Sequence, residues 1–204
     1  MRKNITILLV GSIAIIFCVA FQVQKSGWVK LDFNKENIVE KMTYASADNF
    51  MKQQIYPCAS CYLRPEVHTA LITASKIAQS KGYKIVIFDC YRPKQFQQKM
   101  YEIVNNPNYV AKPTKGSMHN KGLAIDLSLA DSNGNQLDMG TVFDDFSEKA
   151  HYNCKSISIK AKNNRKLLRS IMLQAGFEPY ENECWHFNFR TINYPADDYV
   201  WKCN

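Results

Sequence analysis

Apolar and polar side chains alternate in two short segments of the chain, residues 123–129 and 184–189. Such alternation is typical of a β-strand that buries one face. Asp126 lies on the polar face of the first segment, and His186 lies on the polar face of the second. The face of the second segment that is predicted to be buried carries Trp185, Phe187 and Phe189. If both strands belong to one sheet, Asp126 and His186 point away from the apolar layer.

Three other segments have the spacing of apolar side chains that is typical of amphipathic helices. Residues 65–80 and 93–104 each begin with a proline, which is favoured in the first turn of a helix. A third helix is predicted to be capped by Asn163 or Asn164 and to end at Gly176.

Strands near residues 85–88, 123–129 and 184–190, combined with these helices, predict an α+β fold. We expect a mainly antiparallel sheet that is backed by helices on one face, with a polar cleft on its open face. The chain has 204 residues, of which 46% are hydrophobic. A chain of this length without internal repeats is expected to form one domain with a full core.

The first 25 residues differ in composition from the rest. Arg2 and Lys3 precede the uncharged residues 5–21, which predicts a signal peptide or membrane anchor over residues 1–25. Residues 26–204 then form an exported domain. We expect it in the periplasm or, if residues 5–21 are retained, anchored to the inner membrane. Any membrane association is expected through this segment only.

Cleavage after Ala20 would remove Cys18 and leave an even number of cysteines, as suits an oxidising compartment. The remaining cysteines are Cys58, Cys61, Cys90, Cys154, Cys184 and Cys203. Cys58 and Cys61 form a C-x2-C pair. In an exported chain a disulfide is a better explanation of this pair than a second zinc site, and the sequence leaves the pairing open.

The formal net charge is +8, but the basic residues are scattered along the chain. No motif combines basic and aromatic residues on one surface, so we expect no nucleic-acid partner. The charge indicates a modest attraction to an anionic cell envelope.

Two motifs contain the residues of a hydrolytic zinc site. SMHNKGLAIDLSL contains His119 and Asp126, and ENECWHFNF contains Glu183 and His186. Two imidazoles and one carboxylate can hold Zn²⁺ with a position open for water, and a second carboxylate can accept the proton of that water. Glu183 has the wrong parity for the face of His186. We therefore expect it to reach the site from a turn or bulge that opens the strand.

These motifs resemble the S-x-H-x-x-G-x-A-x-D and E-x-W-H-F/Y motifs of the D-alanyl-D-alanine dipeptidases, zinc enzymes of the vancomycin-resistance type. Three further segments are similar to family motifs in the same order: YASADNF at residues 44–50, DCYRP at 89–93 and MGTVFDDF at 139–146. DCYRP corresponds to the family pattern D-x-Y-R-P. The resemblance extends from about residue 44 to residue 189.

The resemblance implies one zinc ion per chain, with His119, Asp126 and His186 as ligands. It implies that Glu183 is the catalytic base and that Arg92 stabilises the transition state. A guanidinium group, with its fixed donors and permanent charge, suits the oxyanion of a tetrahedral intermediate.

The resemblance also implies that Ser117 holds the carbonyl of the dipeptide and that Asp144 binds its free ammonium group. Cys184 departs from the family pattern, in which this position is usually aromatic. Its thiol could be a fourth zinc ligand, half of a disulfide or an apolar filler. A fourth ligand would make the zinc site structural and leave Glu183 and Arg92 without a purpose, so filler or disulfide is favoured.

Three functions are compatible with these residues. The first is hydrolysis of the small dipeptide D-alanyl-D-alanine, and the second is a zinc D,D-carboxypeptidase acting on peptidoglycan stem peptides. The third is a catalytically silent binding module on the same scaffold, against which Glu183 and Arg92 speak. The two enzymes differ at the amino end of the substrate, because a dipeptidase needs an acid for the ammonium group and a pocket that is closed beyond it.

Overall fold

The structure, a computed structural model, describes residues 27–107 and 109–203. The predicted export segment, residues 1–25, lies outside these ranges. Within them, no helix combines the length and the apolar character that crossing a membrane requires.

The described residues form strands, α-helices and three short 3₁₀ turns. The strands are β1 (Val29–Lys30), β2 (Val39–Glu40), β3 (Tyr62–Leu63), β4 (Lys84–Asp89), β5 (Ala124–Ala130), β6 (Glu178–Tyr180) and β7 (Glu183–Asn188). The helices are α1 (Pro65–Ser80), α2 (Lys94–Val104) and α3 (Ile159–Gln174). The 3₁₀ turns are Thr43–Ala45, Met118–Lys121 and Glu148–Ala150.

A five-stranded sheet with the order β2-β4-β5-β7-β6 forms the centre of the described chain. Strands β2 and β4 are parallel, whereas the other neighbouring pairs are antiparallel. Strand β5 lies in the middle and is buried along its whole length. Strands β1 and β3 form a separate antiparallel pair. The prediction of a mainly antiparallel sheet in an α+β fold is confirmed.

The main core lies between this sheet and helices α1 and α3, which contact each other and the central strands. Ile87 of β4 and Leu127 of β5 meet Leu71 of α1 and Leu168 of α3 there, each at most 1% exposed. Burying a side chain of this size contributes about 1.5–3 kcal/mol. Because side chains alternate along a strand, a core on this face leaves the opposite face of β5 for polar residues.

The third helix begins earlier than predicted. Its cap is Ser158, whose hydroxyl accepts a hydrogen bond from the backbone N–H of Ala161 at 3.0 Å. The predicted caps, Asn163 and Asn164, lie inside the helix, and the Asn164 amide donates to the backbone carbonyl of Asp138. Serine and asparagine cap helices about equally well. The longer helix is favoured because its first turn buries Ala161 completely.

Helix α2 borders the polar cleft. Its Met100 lines the cavity that also contains Asp126 and His186, and its Gln97 accepts a hydrogen bond from Arg92. Only α1 and α3, among the described helices, make extensive contacts with the sheet. The backing layer therefore has two helices instead of the three expected from the sequence.

The predicted alternation of β7 fails at Trp185. Phe187 joins the main core as predicted, but Trp185 packs with Phe88 in a second, smaller cluster and lines the cleft. Strand β7 pairs with β5 only at and beyond His186, and its pairing with β6 shifts register between Phe187 and Glu183. A bulge of this kind takes the residues before His186 out of the regular alternation.

Candidate active site

Three side chains converge on the open face of the sheet. His119 Nε2 lies 3.2 Å from His186 Nδ1 and 3.3 Å from Asp126 Oδ2, and His186 Nδ1 lies 2.9 Å from Asp126 Oδ1. All three possible ligand atoms lie within 4.8 Å of one another. The structure thus brings together the three residues that the sequence proposes as metal ligands. Two imidazole nitrogens and a carboxylate suit a tetrahedral metal with one open position.

Local structure explains how these side chains meet. Asp126 and His186 are direct partners in the antiparallel pairing of β5 with β7, which places their side chains next to each other on one face. His119 comes from the 3₁₀ turn before β5, which is capped by Ser117 and ends at Gly122. Gly122 has a φ of 69°, in the left-handed region that glycine adopts without strain, and the chain turns there into β5.

The other ring nitrogen of each histidine has its own partner. His119 Nδ1 lies 2.6 Å from the backbone carbonyl of Cys90, and a carbonyl can only accept, so this nitrogen carries the hydrogen. His186 Nε2 lies 3.0 Å from Asn188 Oδ1. Both contacts favour a hydrogen on the nitrogen that faces away from the cleft, so in the neutral ring the cleft-facing nitrogen can bind a metal.

Charge and burial shift the pKa values of Asp126 and His186 in opposite directions. Burial alone would raise the pKa of Asp126, but the neighbouring His119 and His186 hold that pKa below its ordinary value. Burial likewise acts to lower the pKa of His186, whereas its contact with Asp126 raises that pKa above the ordinary value. The carboxylate of Asp126 therefore stays ionised and available as a ligand.

Glu183 stands at the first residue of β7, next to the register shift. Its Oε2 lies 3.7 Å from His186 Nδ1, so the bulge turns it toward the cluster, as the parity of the sequence requires. Desolvation raises the pKa of Glu183 above its ordinary value. A carboxylate with a raised pKa is suited to exchange protons near neutral pH.

Arg92 is 8% exposed and lines the same cavity. Its Nη2 and Nε donate to Asp89 Oδ2 at 2.6 and 3.2 Å, and its Nη1 donates to Gln97 Oε1 at 2.9 Å. Burial acts to lower the pKa of Arg92, but Asp89 raises it well above the usual value, so the charge is permanent. A guanidinium has more N–H groups than these three contacts use, and the remaining ones are available to a ligand.

The two residues expected to contact substrate also line the cavity. Ser117 Oγ accepts the backbone N–H of His119 at 3.3 Å, which leaves its own hydroxyl hydrogen free to donate. Both carboxylate oxygens of Asp144 accept hydrogen bonds from the Tyr44 hydroxyl, at 3.1 and 3.0 Å. Burial raises the pKa of Asp144 well above its usual value, and the negative charge of Asp126 adds to this. A cationic ligand group beside Asp144 would relieve both effects.

Four cysteines of the described chain form two disulfides, Cys58–Cys203 and Cys61–Cys90. Cys58 and Cys61 are therefore both oxidised, as expected, but with distant partners. Cys184 is a buried free thiol in the cluster around Trp185, and burial raises its pKa to about 11. Of the roles left open for Cys184, the structure matches the apolar filler.

Four residues of the site have no role assigned from the sequence. Tyr44 and Asp89 hold Asp144 and Arg92 by the hydrogen bonds described above. Phe50 and Phe146 pack against each other at the wall of the cavity, which has a volume of about 450 Å³. All four lie in the segments whose resemblance to dipeptidase motifs is described above, but a motif does not tell which of its side chains face one another.

A family model described as D-ala-D-ala dipeptidase, of peptidase family M15, matches residues 25–200. The chain is 42% identical over 156 residues to the D-alanyl-D-alanine dipeptidase of Escherichia coli (strain K12), covering 76% of this chain and 81% of that protein. It is 34% identical over 176 residues to the D-alanyl-D-alanine dipeptidase of Enterococcus faecium, covering 74% and 86%. Among solved structures, it is similar to the LdcB LD-carboxypeptidase, with a TM-score of 0.43 and 23% identity over 63% of this chain and 59% of that chain. The family match over most of the chain shows that this protein belongs to the D-ala-D-ala dipeptidase family of metallopeptidases.

Proposed function

We propose that this protein is a zinc enzyme that hydrolyses D-alanyl-D-alanine to two molecules of D-alanine. The observation that carries the proposal is the convergence of His119, Asp126 and His186 on one point, with Glu183 beside them. A binding module would have no need of a half-buried carboxylate at this place.

Zinc fits the donor set. In their neutral forms His119 and His186 offer the cleft an imidazole nitrogen each, and Asp126 offers an ionised oxygen, the ligand types that Zn²⁺ prefers. We propose one such ion per chain. When bound, zinc supplies a water of lowered pKa and polarises the scissile carbonyl.

Glu183 is proposed as the general base. It takes the proton of the attacking water and delivers it to the amine of the leaving D-alanine. The raised pKa of Glu183 is closer to a neutral working pH than the ordinary pKa of glutamate is. A base whose pKa is near the working pH both accepts and returns a proton efficiently.

Arg92 is proposed to donate hydrogen bonds to the oxyanion that forms at the scissile carbonyl. Asp89 and Gln97 hold its guanidinium before substrate arrives, so no reorganisation is needed during the reaction. A preorganised donor of this kind lowers the barrier by about 3–4 kcal/mol.

Asp144 and Ser117 are proposed to hold the substrate. The carboxylate of Asp144 pairs with the free ammonium group, and the Ser117 hydroxyl donates to the carbonyl of the dipeptide. The ammonium group would replace the unfavourable burial of a lone negative charge with an ion pair.

The wall next to Asp144 favours the dipeptidase over the carboxypeptidase. Phe146, two residues beyond Asp144, packs on Phe50 with a centroid distance of 4.9 Å and stacks on Tyr109 at 4.4 Å. These rings come from three separate loops and all line the cavity. We call Phe50, Tyr109 and Phe146 the aromatic wall, and we propose that it limits extension of the substrate beyond its ammonium group.

We also propose that the protein acts outside the cytoplasm. The two disulfides among the described residues support this, because disulfides persist in oxidising compartments. The uncharged segment at residues 5–21 would direct the export.

The decisive experiment compares kcat/KM for D-alanyl-D-alanine, its N-acetyl derivative and a pentapeptide that ends in D-Ala-D-Ala, with metal analysis of the same preparation. We expect one zinc per chain and at least about a hundredfold preference for the free dipeptide, because the blocked one leaves Asp144 unpaired. Comparable rates on the pentapeptide would favour the carboxypeptidase. Absence of hydrolysis with zinc bound would favour the silent binding module.

A further inference from the structure

We propose that the Cys61–Cys90 disulfide is a positioning element of the active site, because it holds the backbone carbonyl that orients His119. The inference deepens the proposed zinc site and rests on it. Cys90 occupies the variable position of the D-x-Y-R-P pattern, so nothing in the shared motif explains why a cysteine stands there.

The contact itself is short and buried. The Cys90 carbonyl accepts the Nδ1–H of His119 at 2.6 Å, and His119 is 2% exposed while Cys90 is fully buried. This hydrogen bond decides which ring nitrogen of His119 keeps the lone pair that faces Asp126. If this carbonyl moved, neither the tautomer of His119 nor the orientation of its ring would be fixed.

The segment that carries this carbonyl has no regular structure of its own. Strand β4 ends at Asp89, and residues 90–93 lie between this strand and α2. Two hydrogen bonds join the segment to the turn of His119: the Arg92 N–H donates to the His119 carbonyl at 3.1 Å, and the Asn120 amide donates to the Arg92 carbonyl at 2.8 Å. These bonds tie the two segments to each other. The His119 turn is also held from outside, because the Asn120 carbonyl accepts the N–H of Asp197 at 2.8 Å and the Lys121 carbonyl accepts the Nε–H of Arg64 at 3.1 Å.

The disulfide adds a covalent anchor at Cys90 itself, the residue whose carbonyl contacts His119. Its other half, Cys61, is fully buried and directly precedes β3. The Cys61 carbonyl accepts the N–H of Leu31, and the Tyr62 carbonyl accepts the N–H of Tyr91. Cys90 is thus fastened covalently to a buried edge of the fold, and the position of its carbonyl is set from there.

The second disulfide provides a matched comparison within the same chain. Cys58–Cys203 spans 145 residues of sequence, against 29 for Cys61–Cys90. None of these four cysteines lines the cleft, but the Cys90 carbonyl contacts His119 directly behind it. Because the stabilisation from a disulfide grows with the length of the loop it closes, Cys58–Cys203 is expected to contribute more to global stability. A purely structural role and a positioning role therefore predict opposite orders for the two bonds.

The experiment compares the oxidised wild-type protein with C61A/C90A and C58A/C203A. Three quantities are measured: the zinc dissociation constant by competition with a chelating dye, the thermal midpoint of the zinc-free protein, and the ¹⁵N shifts of the His119 ring in the zinc-free protein. The chain has only 4 histidines, so selective ¹⁵N-histidine labelling gives a readable spectrum. A third double variant, C61V/C90V, retains more of the buried volume.

We expect C61A/C90A to bind zinc at least about tenfold more weakly and to show a mixture of His119 tautomers, as for other lost contacts behind a metal ligand. C58A/C203A is expected to keep the zinc affinity within about threefold and the Nδ1–H tautomer, even if its thermal midpoint falls further. Affinity losses that follow the order of the stability losses would overturn the proposal. So would failure of both Cys61–Cys90 variants to fold while C58A/C203A folds, since the bond would then serve the fold as a whole. A wild-type protein without zinc would contradict the proposed function, and the His119 tautomer would still decide the positioning role.

Discussion

The floor and the rim of the cleft are built in different ways. The floor, formed by His119, Asp126 and His186, stands on a capped turn and two paired strands, and each histidine ring is oriented by a hydrogen bond at its outer nitrogen. The rim consists of loops, in which Tyr109 is 48% and Phe146 is 38% exposed. Asp144 belongs to the rim and adopts a φ of 60°, a strained value for a residue with a side chain.

This difference separates two tasks. Chemistry requires groups held within fractions of an ångström, and strands and capped turns provide that rigidity. Selection of the substrate requires a surface that can vary without disturbing the chemistry, and loops provide it. Substitutions in the floor should therefore reduce turnover of every substrate, whereas substitutions in the rim should change the ratio between substrates.

The largest effect is expected at Glu183. Glu183→Gln keeps the shape of the side chain but cannot accept a proton, so kcat should fall by about 10² to 10⁴-fold while zinc content stays unchanged. Because the base works only when deprotonated and its pKa is raised, the acid limb of the kcat/KM profile should lie above the pKa of about 4.3 that is usual for glutamate. Steady-state kinetics at a series of pH values measure kcat and the acid limb, and elemental analysis measures the zinc content.

Glu181→Gln is the matched control for this substitution. Glu181 lies two residues earlier and pairs with Arg169 at 2.7 Å, with its side chain 50% exposed. Glu181→Gln should therefore leave both kcat and the pH profile as in the wild type. Near-normal turnover by Glu183→Gln would remove Glu183 from the mechanism.

Arg92→Lys comes next. Lysine keeps the positive charge but lacks the planar guanidinium group with its several N–H donors. It therefore cannot donate hydrogen bonds to Asp89, to Gln97 and to the oxyanion at the same time. We expect kcat to fall by about 10² to 10³-fold with a smaller change in KM. Thermal unfolding of the same preparation separates loss of catalysis from loss of structure. An effect confined to KM would place Arg92 in binding only.

Asp144→Asn is expected to change selection more than turnover. The preference for free over N-acetylated D-alanyl-D-alanine should shrink by about tenfold or more, since the ammonium group loses its partner. Asp145→Asn is the control, because the Asp145 carboxylate instead accepts the backbone N–H of Ser147 at 2.8 Å. An unchanged preference in Asp144→Asn would move the ammonium site elsewhere.

The same variant should be more stable than the wild type in the absence of metal. The folded state raises the pKa of Asp144, so the native carboxyl group stabilises the fold below its unfolded pKa of about 3.9, and this contribution is lost as the pH rises through the folded pKa. At neutral pH the buried charge is unfavourable. Asparagine removes it, and we expect a gain on the order of 1 kcal/mol at pH 7 that vanishes near pH 4, measured by chemical unfolding.

The smallest effect is expected at the aromatic wall. Phe146→Ala removes the ring that contacts both Phe50 and Tyr109, and the relative rate on the N-acetylated dipeptide should rise by about three- to tenfold, as suits the loss of one or two aromatic contacts. Val142→Ala, in the same loop but 74% exposed, is the control. Equal loss of activity on all substrates would place Phe146 with the floor instead of the rim.

Several features of the floor follow from local pattern. Alternation along residues 123–129 predicts β5 and the direction of Asp126, and the parity of Glu183 predicts the bulge that opens β7. Helix α1 has the predicted bounds, Pro65–Ser80, because a proline at its start and a regular apolar stripe act within a few residues of sequence. The candidate ligands and base are recognisable for the same reason, since His119 and Asp126 lie in one short motif and Glu183 and His186 in another.

Other features depend on partners that are distant in sequence. The pairing of Cys58 with Cys203 and of Cys61 with Cys90, and the packing of Trp185 on the cleft side, are not encoded in any single segment. The cap of α3 and the place of α2 beside the cleft are of the same kind. In each case the local sequence allows several arrangements, and contacts with distant parts of the chain decide among them.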